Sequence, residues 1–366
     1  MDKIKRFIDC YIPTETCNLR CHYCYIAQLK KFNNKIAKLN YPPEYIRKSL
    51  SKNRLGGICL FNLCAGGETL IAKEVIDVIK VLLEEGHYVM VVTNGTLSHR
   101  FDKIIQFPEE LLSRLFFKFS FHYLELLRLK KLDEFFDNIN RVRTAGCSFT
   151  LEITPNDEII PRIEEIKQVC MDKLGVFCHV TIARDDRTNG INHLSKYNFD
   201  DYQKIWESFE SNLFEFKTNI FYKKRKEFCY AGDWSLYLNL VTGDVRQCYC
   251  GHIIQNIYED IDEPIKTLAV GNNCSLPHCY NGHAFIALGV IPELNFGNYA
   301  ELRDRKDPNG NWLNQKMFDF MSGKLYESNI EYTKDKKKQV NRINRMNNLL
   351  VVPKKITNKI KNKIKK

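Results

Sequence analysis

The chain has 366 residues, of which 44% are apolar and 12% aromatic, a composition that buries a core and excludes an intrinsically disordered protein. The formal charge of +11 sits at one end: residues 334–366 carry 13 Lys/Arg against one Asp, so the rest is nearly neutral and gives no reason to expect a nucleic-acid substrate. No stretch reaches the ~18 consecutive apolar residues of a membrane span, and MDKIKRFIDCYIPTETC lacks the apolar core of a secretory signal. We therefore expect a cytoplasmic protein with reduced cysteines.

The first strand-like run is RFIDCYI (6–12). Directly after it, TETCNLRCHYCYIAQ places Cys17, Cys21 and Cys24 in a C-x3-C-x2-C array. Two cysteines would suggest a redox pair, and four would close a tetrahedral zinc site. Three thiolates on one loop form an incomplete metal site, suited to a [4Fe–4S] cluster with one iron left open. Tyr23 would pack against the side of such a cluster, whereas a zinc site would need His22 as well.

PEYIRKSLSKN is helix-like, and the strand-like GICLFNLC (57–64) leads into AGGETL. There Gly66 and Gly67 let the backbone approach a ligand closely, and Glu68 supplies an acceptor. LIAKEVIDVIKVLLEEG places Ile71, Val75, Val78, Ile79 and Leu82 on one helix face and ends at Gly86. YVMVVTN (88–94) ends in Thr93 and Asn94, and LFFKFSF (115–121) puts Ser120 and His122 on one side of the pleat. A helix ending at Gly146 precedes SFTLEIT (148–154), which holds Glu152, and VFCHVTIA (176–183) is followed by Arg184. Strands that are apolar throughout, alternating with helices, imply a parallel sheet. The fold expected for residues 1–185 is α/β, a partial (β/α)6 TIM-like barrel with ligands at the C-terminal ends of its strands.

RDDRTNGINHLSKYNFD and a helix-like run from Phe199 make a connection over residues 186–228. WSLYLNLVTGDVRQCYC reads as a β-hairpin turning at Thr242-Gly243-Asp244. It belongs to a small cysteine-rich auxiliary domain over residues 229–283, holding Cys229, Cys248, Cys250, Cys274 and Cys279. Four of these thiolates suit either an iron–sulfur cluster or zinc. Cys59, Cys64, Cys147, Cys170 and Cys178 read as small buried hydrophobes. Residues 284–333 are expected to pack on the barrel and cap the active site. The basic tail, 334–366, spaces Ile356, Ile360 and Ile364 four apart among lysines. It is a solvated tail or a peripheral contact with the anionic inner membrane surface, worth about 1 kcal/mol per Lys.

The C-x3-C-x2-C array after the first strand and Gly66-Gly67-Glu68 after the second resemble the radical S-adenosylmethionine (SAM) superfamily. The resemblance implies that Cys17, Cys21 and Cys24 hold a [4Fe–4S] cluster whose open iron chelates the amino and carboxylate groups of SAM. Glu68 would accept a hydrogen bond from the SAM ammonium. Reductive cleavage would yield a 5′-deoxyadenosyl radical, with electrons from a donor such as flavodoxin or ferredoxin, and the radical would take a hydrogen atom from an unactivated C–H bond. Thr93, Asn94, Ser120, His122, Glu152 and Arg184 occupy positions that contact SAM or substrate in the family, although turn and salt-bridge roles compete for them.

Cys229, Gly243 and Cys248, as C-x13-G-x4-C, look like the opening of the family's twitch or SPASM domains, but the C-x2-C-x5-C-x3-C continuation is missing. One auxiliary [4Fe–4S] cluster on Cys229, Cys248, Cys274 and Cys279 is implied, with Cys250 as a further ligand or as a hydrogen-atom donor to a substrate radical. The cluster motif starts at residue 17, ahead of which no leader-binding module is expected, so a small molecule such as a sugar or amino-acid derivative is favoured over a peptide. The alternatives are a peptide-modifying radical enzyme and a non-catalytic zinc- or cluster-stabilised protein docking on polyanions. A binding module has no need of the Gly-Gly-Glu motif.

Overall fold

The computed structural model describes residues 2–294 and 296–364, with side chains as far as Leu349. Six strands, β1 (Arg6–Ile12), β2 (Cys59–Ala65), β3 (Tyr88–Thr93), β4 (Leu115–Phe121), β5 (Ser148–Ile153) and β6 (His179–Val180), pair in parallel and in chain order. Each falls within the run expected for it to within two residues, apart from the sixth, which shrinks to two residues. Their outer faces, including Ile8, Phe61, Val91, Phe117 and Leu151, pack on helices such as Glu74–Glu84, whose Val75, Val78, Ile79 and Leu82 are buried. That helix and Leu132–Thr144 are each followed by a glycine at φ +91°, Gly86 and Gly146, the left-handed termination expected of them.

Alternate residues of the same strands face the barrel interior. Towards the strands' N-terminal ends these are Phe7, Leu60, Tyr88 and Phe116, which form a second core with Phe285, Leu288, Tyr299, Phe320 and Met321. Phe320 stacks on Tyr88 with ring centroids 3.6 Å apart. Asn314 donates from Nδ2 to the carbonyls of Ser113 (3.1 Å) and Gly146 (3.0 Å), just ahead of β4 and β5. The expectation that residues 284–333 cap the active site is therefore corrected. The segment plugs the opposite end, where an incomplete barrel presents an apolar interior that close packing must fill.

Between barrel and hairpin, β7 (Arg184–Asp185) and β8 (Asn192–His193) form a small antiparallel ribbon within the expected linker. β9 (Ser235–Asn239) and β10 (Asp244–Arg246) make the expected hairpin, with Gly243 at φ +81°, and β11 (Ile253–Asn256) follows. The hairpin does not stand apart from the barrel: β9 pairs in parallel with β1, giving one nine-stranded sheet ordered β11-β10-β9-β1-β2-β3-β4-β5-β6. Without β9 the edge of β1 would carry unpaired amides and carbonyls. Beyond β6, the helix Asn212–Ile220 packs against that strand and against the short helix Gly282–Phe285.

The basic tail begins as an ordered helix, Lys334–Ile364. Asn344 anchors it, accepting from Gln247 Nε2 (2.9 Å) and donating to the Ala269 carbonyl (2.8 Å). The Ile356, Ile360 and Ile364 stripe lies outside the described side chains. No helix among the described residues is long and apolar enough to cross a membrane.

Phe320→Ala should lower the free energy of unfolding by about 3–5 kcal/mol, read by urea denaturation. An unchanged midpoint would mean that the plug does not support the barrel.

Candidate active site

The loop after β1 is held by its own backbone and by β2 and β3. Gln28 N donates to the Cys24 carbonyl (2.9 Å), starting a short helix at Tyr25, and the Tyr25 hydroxyl donates to the Gly66 carbonyl (3.0 Å). The Gly67 amide donates to the Thr14 carbonyl and the Glu68 amide to that of Thr16 (3.0 Å). A Cβ on Gly67 would collide with the Thr16 carbonyl, so only glycine lets the two loops meet. The Gly-Gly-Glu turn thus fixes the position of the cysteine loop.

Cys17, Cys21 and Cys24 line a cavity of about 80 Å³, shared with Gly66, Gly67 and Glu68 on one side and Thr93, Asn94, Ser120 and His122 on the other. Every residue expected to contact the cluster or SAM, apart from Tyr23, Glu152 and Arg184, is on this wall. Leu19 N (3.4 Å) and Asn94 Nδ2 (3.6 Å) both donate to the Cys17 sulfur. Burial pushes the Cys17 thiol up to about 11 and Cys21 up to about 12, and raises Cys24 too. Such thiols ionise when a cationic metal supplies the missing charge.

Glu68 is buried, and its position is over-determined. Oε1 accepts from the Thr93 hydroxyl (2.7 Å) and Leu70 N (3.0 Å), and Oε2 accepts from Asn94 N (2.7 Å). Burial raises its pKa against the pull of these bonds. A carboxylate has about four acceptor sites, so Oε2 keeps room for one more donor. Thr93 and the Asn94 backbone spend their hydrogen bonds on Glu68. The Tyr23 hydroxyl and His122 Nδ1 share a bond of 2.8 Å, and burial pushes His122 down to about 4, leaving it neutral at neutral pH.

A second cavity of about 730 Å³ adjoins the first through Cys24 and His122 and extends to Cys279. Tyr23 and Arg184 lie on its wall. The Arg184 guanidinium lies 5.8 Å from the Tyr280 ring centroid. The cavity also presents polar groups that sequence reasoning missed. Asp9 accepts from Tyr249 (2.5 Å), Asn62 (2.7 Å) and Asn281 (3.2 Å), and burial raises its pKa. Lys118, Lys217 and Arg303 line the same cavity, and Lys118 is close enough to Asp9 to pull against that rise. Asp9, Asn62 and Lys118 did leave a signal, since each interrupts the middle of a mostly apolar strand. Lys217 and Arg303 left none.

Two expectations need correction. Glu152 is not on either cavity wall: it is buried, ion-paired with Arg303, with Lys118 at 3.3 Å. Burial would raise its carboxyl, but Arg303 and then Lys118 hold it well below the usual carboxylate range. Cys250, a candidate hydrogen-atom donor, is not on either wall: it adjoins Cys248 and Cys274. The turn closed by Gly251 N donating to the Cys248 carbonyl (3.0 Å) brings Cys248 and Cys250 together and leaves Tyr249 on the cavity wall. Cys229 stands beside Cys274 and Cys279, so all five cysteines form one nest, of which Cys279 reaches the cavity.

Among the described residues, no three His, Cys, Asp or Glu side chains converge closely enough to share a single ion. A cubic cluster instead takes one thiolate at each iron and needs ligands spread around a space. Three thiols around one cavity, with two N–H groups directed at the Cys17 sulfur, fit a [4Fe–4S] cluster with one open iron.

The profile of the Radical SAM superfamily matches residues 11–168, which include the three cysteines and Gly66-Gly67-Glu68. Among curated proteins, 7-carboxy-7-deazaguanine synthase of Aquifex aeolicus (strain VF5) is 30% identical over 87 residues, which are 24% of this chain and 36% of that protein. Among solved structures, Streptococcus suis SuiB bound to S-adenosylmethionine aligns with a TM-score of 0.49 and 14% identity, over 70% of this chain and 65% of that one. anSMEcpe with bound AdoMet aligns with a TM-score of 0.44 and 15% identity, over 69% and 78%. The match thus spans about a third of the curated relative and just under two thirds of SuiB.

Gly67→Ala should displace the cysteine loop and cut the iron bound after anaerobic reconstitution several-fold. Gly297→Ala, whose Cβ would meet nothing nearer than 3.6 Å, should bind iron as wild type does. Equal iron in the two variants would show that Gly67 does not position the loop.

Proposed function

We infer that this chain is a radical SAM enzyme that uses SAM with an iron–sulfur cluster and acts on a small molecule held between its two cysteine sites. The observation that carries this reading is the cavity of about 730 Å³ with Cys24 and His122 at one end and Cys279 at the other. It falls in the range of roughly 300–1,000 Å³ usual for small-molecule sites. Bound by Cys17, Cys21 and Cys24, the cluster would supply the electron that splits SAM into methionine and a 5′-deoxyadenosyl radical.

The chain's own groups do the positioning. Asn94 and the Leu19 amide polarise the Cys17 sulfur. Glu68, clamped by Thr93, Leu70 and Asn94, turns its remaining acceptor capacity to the ammonium of SAM. Tyr23 and His122 brace each other where the two cavities meet. Aromatic walls, Tyr11, Tyr237 and Phe221 among them, keep bulk water from a reactive radical. Asp9, bonded to the Tyr249 hydroxyl, is placed to accept a proton from a molecule in the cavity. Cys229, Cys248, Cys274 and Cys279 would hold an auxiliary [4Fe–4S] cluster with Cys250 beside them, and the wall position of Cys279 supports a role for that cluster towards the substrate.

Protein reconstituted anaerobically with iron and sulfide, then given SAM and dithionite, should form 5′-deoxyadenosine, whereas Cys17→Ala/Cys21→Ala/Cys24→Ala should form none. Fully iron-loaded wild type that leaves SAM intact would end the enzymatic reading. Replacing Cys229, Cys248, Cys274 and Cys279 together by Ala should remove about four of about eight irons per chain. Zinc at that site in the purified protein would replace the auxiliary cluster with a structural metal.

A further inference from the structure

We propose that Lys118, Lys217 and Arg303 form the binding site for an anionic group, a carboxylate or a phosphate, on the substrate. The proposal rests on reading the larger cavity as the substrate site. The three side chains come from β4, from the helix Asn212–Ile220 and from the plug segment, and all three line that cavity. None lines the smaller cavity that Cys17, Cys21 and Gly66-Gly67-Glu68 share, so the three cations lie apart from the carboxylate expected to take the SAM ammonium.

The charges around them do not balance. Glu152 pairs with Arg303 and lies 3.3 Å from Lys118, so one carboxylate answers two cations. Asp9 takes its three hydrogen bonds from the neutral donors Tyr249, Asn62 and Asn281. Lys217 donates to the Thr181 hydroxyl and, among the described residues, has no carboxylate within 4 Å. An ammonium has three N–H groups, so two are left for a ligand. Arg303 Nε is likewise buried without a partner among the described residues.

A sequestered ammonium with no counter-charge is unstable, and it either loses its proton or acquires an anion. Burial, against the attraction of Glu152 and with Lys118, Arg303 and Arg184 adding repulsion, pushes Lys217 well below its ordinary value. An anion set between Lys217, Lys118 and Arg303 removes both penalties at once. The Arg303 guanidinium, already bonded to Glu152 and Tyr299, adds its charge to that of the lysines, and carboxylate or phosphate oxygens answer that charge. A neutral sugar would leave the lysines uncompensated.

Anaerobic calorimetry on reconstituted enzyme saturated with SAM tests this, using inorganic phosphate, succinate and glucose as probes. Phosphate or succinate should bind and glucose should not, and the tighter anion identifies the group. Lys217→Gln and Lys118→Gln should each weaken that binding about tenfold or more. Lys217→Arg should stay within a few-fold of wild type, and the surface variant Lys204→Gln should match it. Circular dichroism verifies folding of each variant. Binding that is unchanged in both Gln variants, or absent from wild type for both anions, overturns the proposal. Formation of 5′-deoxyadenosine by wild type, measured in parallel, tests the radical chemistry separately, so the two readings fail independently.

Discussion

Six parallel strands curve into part of a barrel and cannot close on themselves, and most of this molecule is a response to that constraint. The incomplete barrel has three openings: the free edge of β1, the gap beyond β6, and the apolar mouth at the strands' N-terminal ends. β9 covers the first, the helix Asn212–Ile220 the second, and residues 284–333 the third. Each piece that closes the barrel also delivers chemistry to its interior. The hairpin brings Tyr237 and, at its end, Tyr249 and the cysteine nest. The helix brings Lys217, and the plug brings Arg303.

The Arg303–Glu152 pair ties plug to barrel. Removing one partner from a buried pair costs about 3–5 kcal/mol because the other charge is left uncompensated. Glu152 is depressed in the folded state, so the stability it contributes is present above the ordinary glutamate range and is lost only as pH falls through the folded value. The cations that hold Glu152 ionised also line the cavity. Stability and the charge of the cavity thus draw on the same residues.

At the other end of the cavity the geometry is settled by contact between loops. The Gly-Gly-Glu turn lies against Thr14 and Thr16, so the loop that carries the cysteines and the Glu68 carboxylate move together. Thr93 and the Asn94 amide then hold Glu68 from β3, and Asn94 Nδ2 reaches back to Cys17. Three strand ends are joined through one buried carboxylate.

Cys17, Cys21 and Cys24 were legible as a group in the sequence because they sit on one loop, where spacing is geometry, and they line one cavity. Gly66-Gly67-Glu68, Thr93, Asn94, Ser120 and His122 were legible because parallel strands in chain order bring their C-terminal ends together, so a place in the repeat is a place in the site. The strands announced themselves by apolar runs, and the hairpin by its glycine. Glu152 read equally as a ligand contact or a salt bridge, and only its partner 151 residues away decided between them. The same holds for Lys217, an ordinary helix lysine by pattern, and for Cys250, whose turn faces it towards Cys248 and Cys274. Spacing and periodicity carry information over one loop or one β/α unit. Which buried charge meets which, and which end of the barrel the last segment closes, depend on packing between parts of the chain with no local relation, and only the tertiary structure decided them.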